Sequence, residues 1–167
     1  MQIDFNLIQE QWRSIRVIVG LGNPGEKFKT TRHNVGFLFV DFLATHFSKK
    51  FNSTANFEWL NLNDRQLVLV KPLTFMNNSG SILNAVQKII KFKPEEMLVV
   101  HDELEKKFGS VSLKFGGSAK GHNGIKSIIN GCGENFFRLR FGIGRPENRA
   151  DVPSYVLEKF TTEELSS

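Results

Sequence analysis

The chain has 167 residues, 40% of them hydrophobic and 23% charged, with a formal net charge of +5. That suffices for one domain with one substantial core, and the charge admits a phosphate-bearing partner without demanding one. No apolar run approaches the roughly 20 residues that span a bilayer, the first sixteen residues lack the form of a secretory leader, and a single cysteine, Cys132, excludes an internal disulfide and fits a reducing cytoplasm.

Residues 1–15 are set apart as an N-terminal extension, and the domain proper is expected over 16–167. Residues 16–21 form a β-branched run that reads as a buried strand entering a sharp loop at Gly20-Leu21-Gly22-Asn23-Pro24-Gly25. Phe37, Leu38, Val40, Phe42, Leu43 and Phe47 recur at near-helical spacing, so 35–47 is expected to be a helix packed on a sheet. Residues 57–62 and 66–70 flank Asn63-Asp64, a pair suited to a tight turn, and predict a hairpin ending at Lys71-Pro72. Ile82, Leu83, Val86, Ile89 and Ile90 keep the 3.6-residue period. Pro94 stops that helix ahead of a strand over 97–100, which leaves a strand-to-loop junction at His101-Asp102-Glu103. A short strand over 111–115, a glycine-rich loop to Gly124, a helix over 125–129 and a strand over 137–143 follow. The interleaving predicts an α/β fold, a single-domain mixed β-sheet flanked by helices. Thr161-Thr162-Glu163-Glu164 reads either as the start of a helix that is then missing or as a polar tail.

Several residues could carry chemistry. Gly20-x-Gly22-x-x-Gly25 matches a dinucleotide fingerprint in form, but no apolar helical face opens after Gly25 and no acidic residue follows at the distance ribose binding wants. His33, between Arg32 and Asn34, is expected to be exposed to a cleft, where an imidazole can take a proton from water. Asp102 follows a strand of the same sheet and could accept the Nδ1 proton of His33, fixing its tautomer in the manner of a triad with water as nucleophile; a solvated or helix-capping aspartate is the alternative. Asn23, Asn77, Asn78 and Asn123 stand in or beside loops, where neutral amides could hold an oxyanion or a peptide, or simply form turns; Asn78 reads as a helix start. His33, His101, Asp102 and His122 offer metal donors, but none of the spacings suggests a site, and no metal is expected. Lys114, Lys120, His122, Lys126, Arg138, Arg140 and Arg145 cluster late in the chain. Arg138 and Arg140 would share one strand face and could grip phosphate, or form a solvated, salt-bridged face.

Five segments, Gly20-Leu21-Gly22-Asn23-Pro24-Gly25, Thr31-Arg32-His33-Asn34-Val35-Gly36, Lys71-Pro72-Leu73-Thr74-Phe75-Met76-Asn77, His101-Asp102-Glu103-Leu104 and Gly121-His122-Asn123-Gly124, closely resemble the bacterial peptidyl-tRNA hydrolases in order and spacing. Arg138-Leu139-Arg140-Phe141-Gly142-Ile143-Gly144 adds a sixth, and the resemblance runs from about residue 16 to 160. It implies a monomeric, cytoplasmic enzyme, free of cofactor and metal, that cleaves the ester between a peptide and the ribose of its tRNA. On the matching positions His33 would be the base, Asp102 its orienting carboxylate, and Asn77 a donor to water or the tetrahedral intermediate. Asn23 and Asn123 would grip the peptide backbone, Met76 would line its channel, and Lys114 and Arg140 would clamp tRNA phosphate, with Lys120 and His122 beside them. Phe28 stands where members commonly carry tyrosine, and members commonly continue into a C-terminal helix that this domain is expected to lack for the most part. The rival implied by resemblance is a non-catalytic, splicing-type RNA-binding protein on the same scaffold.

Overall fold

A computed structural model describes residues 14–62 and 66–161. Among these residues the chain forms one mixed sheet of seven strands in the order β2-β3-β4-β1-β5-β7-β6. The strands are β1 Val17–Gly20, β2 Asn52–Ser53, β3 Phe57–Leu62, β4 Leu67–Pro72, β5 Met97–Glu103, β6 Val111–Phe115 and β7 Phe137–Gly142. The central strands β4, β1, β5 and β7 run parallel, and the pairings toward each edge, β2-β3-β4 and β7-β6, are antiparallel. Four α-helices accompany them: α1 Val35–His46, α2 Leu83–Ile89, α3 Asn123–Cys132 and α4 Val152–Val156.

Alternation along the strands sorts the apolar side chains onto two faces. Val17, Val19, Val70 and Val99 pack with Val86 of α2 and with Ile125 and Ile128 of α3. Ile18, Leu69, Leu98 and Val100 pack with Val40 and Ala44 of α1. The mixed α/β sheet expected from the pattern is therefore present, covered on both sides. Ile15 is buried in the second cluster and the backbone of Arg16 pairs with Glu96 and Val68.

Two glycines bring the site together. A β-carbon on Gly20 would lie 2.0 Å from Val40 and 2.3 Å from the Gly36 carbonyl oxygen, and one on Gly36 would lie 2.4 Å from both Leu21 N and Val100 O. Their bare backbones let α1 begin directly against the ends of β1 and β5. The turn that precedes α1, which carries His33, is thereby placed beside the end of β5.

The structure departs from expectation at several elements. β5 continues through Glu103, and all seven of its residues are buried, so His101-Asp102-Glu103 lies within the strand rather than at a strand-to-loop junction. β7 explains this: His101, Asp102 and Glu103 pair in register with Arg140, Phe141 and Gly142, and a ladder holds polar residues extended whatever their propensity. The helix expected from residue 82 is preceded by a 3-10 segment, Met76–Ile82, interrupted at Asn78, and becomes regular only at Leu83. Close packing causes it, because a β-carbon on Gly80 would sit 2.2 Å from the Ser127 carbonyl oxygen of α3. α3 starts two residues earlier than the apolar pattern suggests, and α4 was not foreseen. The Asn63-Asp64 turn, residues 1–13 and residues 162–167 lie outside the described residues. No helix among the described residues is long and apolar enough to cross a membrane.

Candidate active site

The site forms where β1 and β5 end, the usual location for ligand binding in open α/β sheets. His33 occupies a 3-10 turn, Arg32–Asn34, all three of whose residues are buried. Asn34 pins this turn to the first loop, accepting from Asn23 N at 2.7 Å and donating to Asn23 O at 2.9 Å. His33 is thus buried rather than openly exposed, at 8%, yet it lines two adjoining cavities of about 360 and 270 Å³. Asp102 and the His122 ring, 4.8 Å away between centroids, cover the imidazole despite the polarity of its sequence neighbours.

His33 Nδ1 lies 2.9 and 3.0 Å from the two carboxylate oxygens of Asp102. A carboxylate only accepts, so Nδ1 carries the proton and Nε2, which has no protein partner among the described residues, keeps its lone pair toward the cavities. A second histidine completes the arrangement. His122 Nε2 lies 2.7 Å from Asp102 Oδ1, while its Nδ1 accepts from Gly124 N at 3.1 Å and Ile125 N at 3.2 Å as the N-cap of α3. Those backbone amides can only donate, which forces the proton onto Nε2 and makes His122 a donor to Asp102. The sequence reading set His122 among the tRNA contacts; its side chain is 8% exposed, with Nε2 turned to Asp102.

Burial alone would raise the Asp102 carboxyl, but the charges and hydrogen bonds of His33 and His122 outweigh it and hold the group below the ordinary carboxylate range. Asp102 is ionised. The neighbouring His101 shows the opposite balance: burial, with a contribution from His122, pushes its pKa down to about 3 against the opposing pull of Asp102. His101 is neutral, its Nδ1 donating to the Asp102 carbonyl at 2.7 Å.

His33, Asp102 and His122 also bring three potential ligand atoms within 4.8 Å of one another, a convergence the sequence spacing did not suggest. The tautomers just derived account for the two short contacts as N–H···O bonds, which places protons where a bound ion would need lone pairs.

Asn23, Met76, Asn77 and Asn123 line the smaller cavity together with Phe75. Asn23 Oδ1 accepts from Met76 N at 2.8 Å, which fixes the amide's orientation and leaves its NH₂ to donate to a ligand. Phe28 lines neither cavity and instead packs edge-on against Phe75, with ring centroids 6.3 Å apart. Lys114, Lys120, Arg138 and Arg140 gather at a shallow recess on the other side of the glycine-rich loop, with His101 and Glu103 at its floor. Burial and the charges of Lys120, Arg140 and Arg138 lower the Lys114 pKa, the mark of crowded cations. Arg138 is not available to phosphate in the way its strand position suggests. It is 2% exposed, and its guanidinium donates to the carbonyls of Ser118 at 2.8 Å, Gly117 at 2.6 Å and Glu134 at 3.2 Å. Lys126 is exposed on α3, and Arg145 pairs with Glu105 at the rim of the larger cavity.

A profile of the family described as peptidyl-tRNA hydrolase matches residues 17–167. The chain belongs to the peptidyl-tRNA hydrolase family. Relatives in that family include the peptidyl-tRNA hydrolase of Sulfurihydrogenibium sp. (strain YO3AOP1), 48% identical over 153 residues that cover 90% of this chain and 81% of the relative. That of Aliarcobacter butzleri is 43% identical over 150 residues, covering 90% and 82%. The crystal structure of peptidyl-tRNA hydrolase from Acinetobacter baumannii superposes with a TM-score of 0.85 at 39% identity, covering 92% of this chain and 81% of that one. Three residues of the site, His122, Pro153 and Val156, were not foreseen in the places they take. His122 was assigned by its basic surroundings, although the Gly-His-Asn-Gly string ahead of an apolar run carried a legible helix-cap signal. Val156 and Pro153, which wall both cavities, left no signal, since α4 has no apolar period of its own.

Proposed function

We propose that the chain hydrolyses the ester joining a peptide to the ribose of its tRNA, with His33 as general base. The observation that carries this reading is the bridged arrangement in which one ionised carboxylate accepts from two histidines and leaves His33 Nε2 free at the cavities. Nε2 takes a proton from water as the water oxygen attacks the ester carbonyl carbon, and the resulting imidazolium is stabilised by Asp102. Collapse of the tetrahedral intermediate breaks the bond to the ribose oxygen, which receives the proton back from His33. Asn77 donates to the developing oxyanion.

The smaller cavity, with neutral amides and Met76, suits the peptide. There Asn23 and Asn123 bind backbone groups that a free aminoacyl ester lacks, and a site built for such contacts discriminates against a substrate that leaves them unmade. Lys114, Lys120 and Arg140 suit tRNA phosphate. The reaction needs no metal or other cofactor, and the enzyme acts as a cytoplasmic monomer. A non-catalytic RNA-binding role on the same scaffold has no observation in its favour, since base and carboxylate are both present and paired.

The test is incubation of the purified protein with N-acetyl-phenylalanyl-tRNA in the presence of EDTA, beside a His33→Ala variant. Release of the acetylated amino acid by wild type alone is the expected result. Equal turnover by the variant removes the base assignment, loss of wild-type turnover with EDTA restores a metal, and binding without turnover restores the RNA-binding alternative.

A further inference from the structure

The residue just before the proposed base is a buried arginine that the reaction does not use. Arg32 is 6% exposed, and its Nη1 donates to Glu158 Oε2 at 2.7 Å and to the Tyr155 carbonyl at 3.1 Å. Its guanidinium carbon lies 4.1 Å from the centre of the Tyr155 ring. The backbone follows the same path: Arg32 N donates to Glu158 O at 3.0 Å, Phe160 N to Thr30 O at 2.8 Å, and Thr31 bridges to Lys159. The Tyr155 hydroxyl in turn donates to the Ile143 carbonyl just beyond β7.

What these contacts hold is α4. A five-residue helix is far below the length that is stable alone, and none of its residues is buried. Its place on the molecule therefore depends on what it is tied to. From that place Pro153 and Val156 wall both cavities at the point where they meet His33, and Leu157 adds apolar surface to the smaller one. His33 itself does not depend on the guanidinium, being held by Asp102 and, through Asn34, by Asn23.

We infer that Arg32 is a positioning residue that clasps α4 over the site and so sets the selectivity of the smaller cavity for apolar peptide side chains. The inference rests on the proposed function for its substrate, and on contacts of this chain alone for its mechanism. Lysine cannot replace the arginine, because a point charge does not reproduce the flat stacking of the guanidinium on Tyr155. Wall contacts are made equally in the ground and transition states, so their loss raises KM and leaves kcat.

Two measurements test it on the intact protein, for wild type, Arg32→Lys and the milder Glu158→Gln, whose side chain is 59% exposed and whose folding is not in question. The first is amide hydrogen exchange without substrate. Exchange at Phe160 is expected to accelerate in both variants, more in Arg32→Lys, while amides of β1 and β5 keep their wild-type rates. The second is steady-state hydrolysis of N-acetyl-phenylalanyl-tRNA and N-acetyl-glycyl-tRNA. In Arg32→Lys, KM for the phenylalanyl substrate is expected to rise about tenfold, with KM for the glycyl substrate and both kcat values within about twofold. Glu158→Gln is expected to move in the same direction by a smaller factor. Equal KM increases for both substrates, a fall in kcat at constant KM, or unchanged exchange at Phe160 each overturns the inference. Should wild type hydrolyse neither substrate, the proposed function fails, and the exchange measurement still decides whether Arg32 holds α4.

Discussion

The catalytic corner and the basic recess lie on either side of the glycine-rich loop before α3, and they treat charge in opposite ways. At the corner, a buried carboxylate stays ionised because two imidazoles, His33 and His122, donate to Asp102. In the recess, Lys114, Lys120 and Arg140 stand near one another beside Glu103, with the buried Arg138 held by loop carbonyls, and a buried imidazole is kept neutral. Like charges held together at a surface are unfavourable until a polyanion arrives, whereas a satisfied carboxylate needs no partner at all. The difference separates a carboxylate satisfied within the fold from a group of cations that, on the proposed function, suits an RNA phosphate.

Substitutions can break or sharpen that contrast. The largest effect is expected at the corner, where His33→Ala and Asp102→Asn each lower kcat by about 10²- to 10⁴-fold with little change in KM, measured by single-turnover hydrolysis. Loss of binding with intact kcat would instead move both residues to the substrate side. Next comes Arg138→Ala, which strands three carbonyls and is expected to lower unfolding free energy by about 3 kcal/mol in urea titrations while leaving salt dependence alone. Its neighbour two residues on should behave in the reverse sense. Arg140→Ala or Lys114→Ala is expected to raise KM by about tenfold and to reduce the slope of log KM against log salt by about 1, with stability nearly unchanged. A salt slope that ignores both changes would remove the recess from the RNA interface.

The smallest effect is a pH dependence of stability. His101 has a folded pKa of about 3 against an ordinary 6.5, so between those values the unfolded chain takes up a proton that the folded chain refuses. The sign follows: stability is complete above about 6.5 and declines as pH falls toward 3. Urea midpoints at pH 7 and pH 5 should differ more for wild type than for His101→Asn, and an equal difference would assign the acid sensitivity elsewhere. Asp102, whose pKa is depressed, contributes stability above the ordinary carboxylate range that is lost only in stronger acid.

Much of the fold was legible from residue order. A β-branched run located β1, a turn pair the two hairpin strands, and 3.6-residue apolar periods α1 and α2, because each of these signals is carried by the segment's own sequence. The extent of β5 was not legible, since His101-Asp102-Glu103 is polar and only its neighbour β7 supplies the ladder that keeps it extended. The same holds for α4, which is tied down by a residue more than a hundred positions earlier.

The candidate site divides in the same way. The residues proposed to bear the chemistry were legible in the sequence: the imidazole of His33, the carboxylate of Asp102, and the amides of Asn23, Asn77 and Asn123 stand in local strings. What each of them does was decided by tertiary structure. The His33–Asp102 bond joins residues 69 positions apart, and His122 becomes a partner of Asp102 rather than a phosphate contact. Arg138 and Arg140 take different roles from one strand face because the carbonyls of the glycine-rich loop fold back onto only the first of them. A local pattern specifies what a segment can bury or donate, but hydrogen bonds between distant segments are chosen only when the sheet brings them within 3 Å.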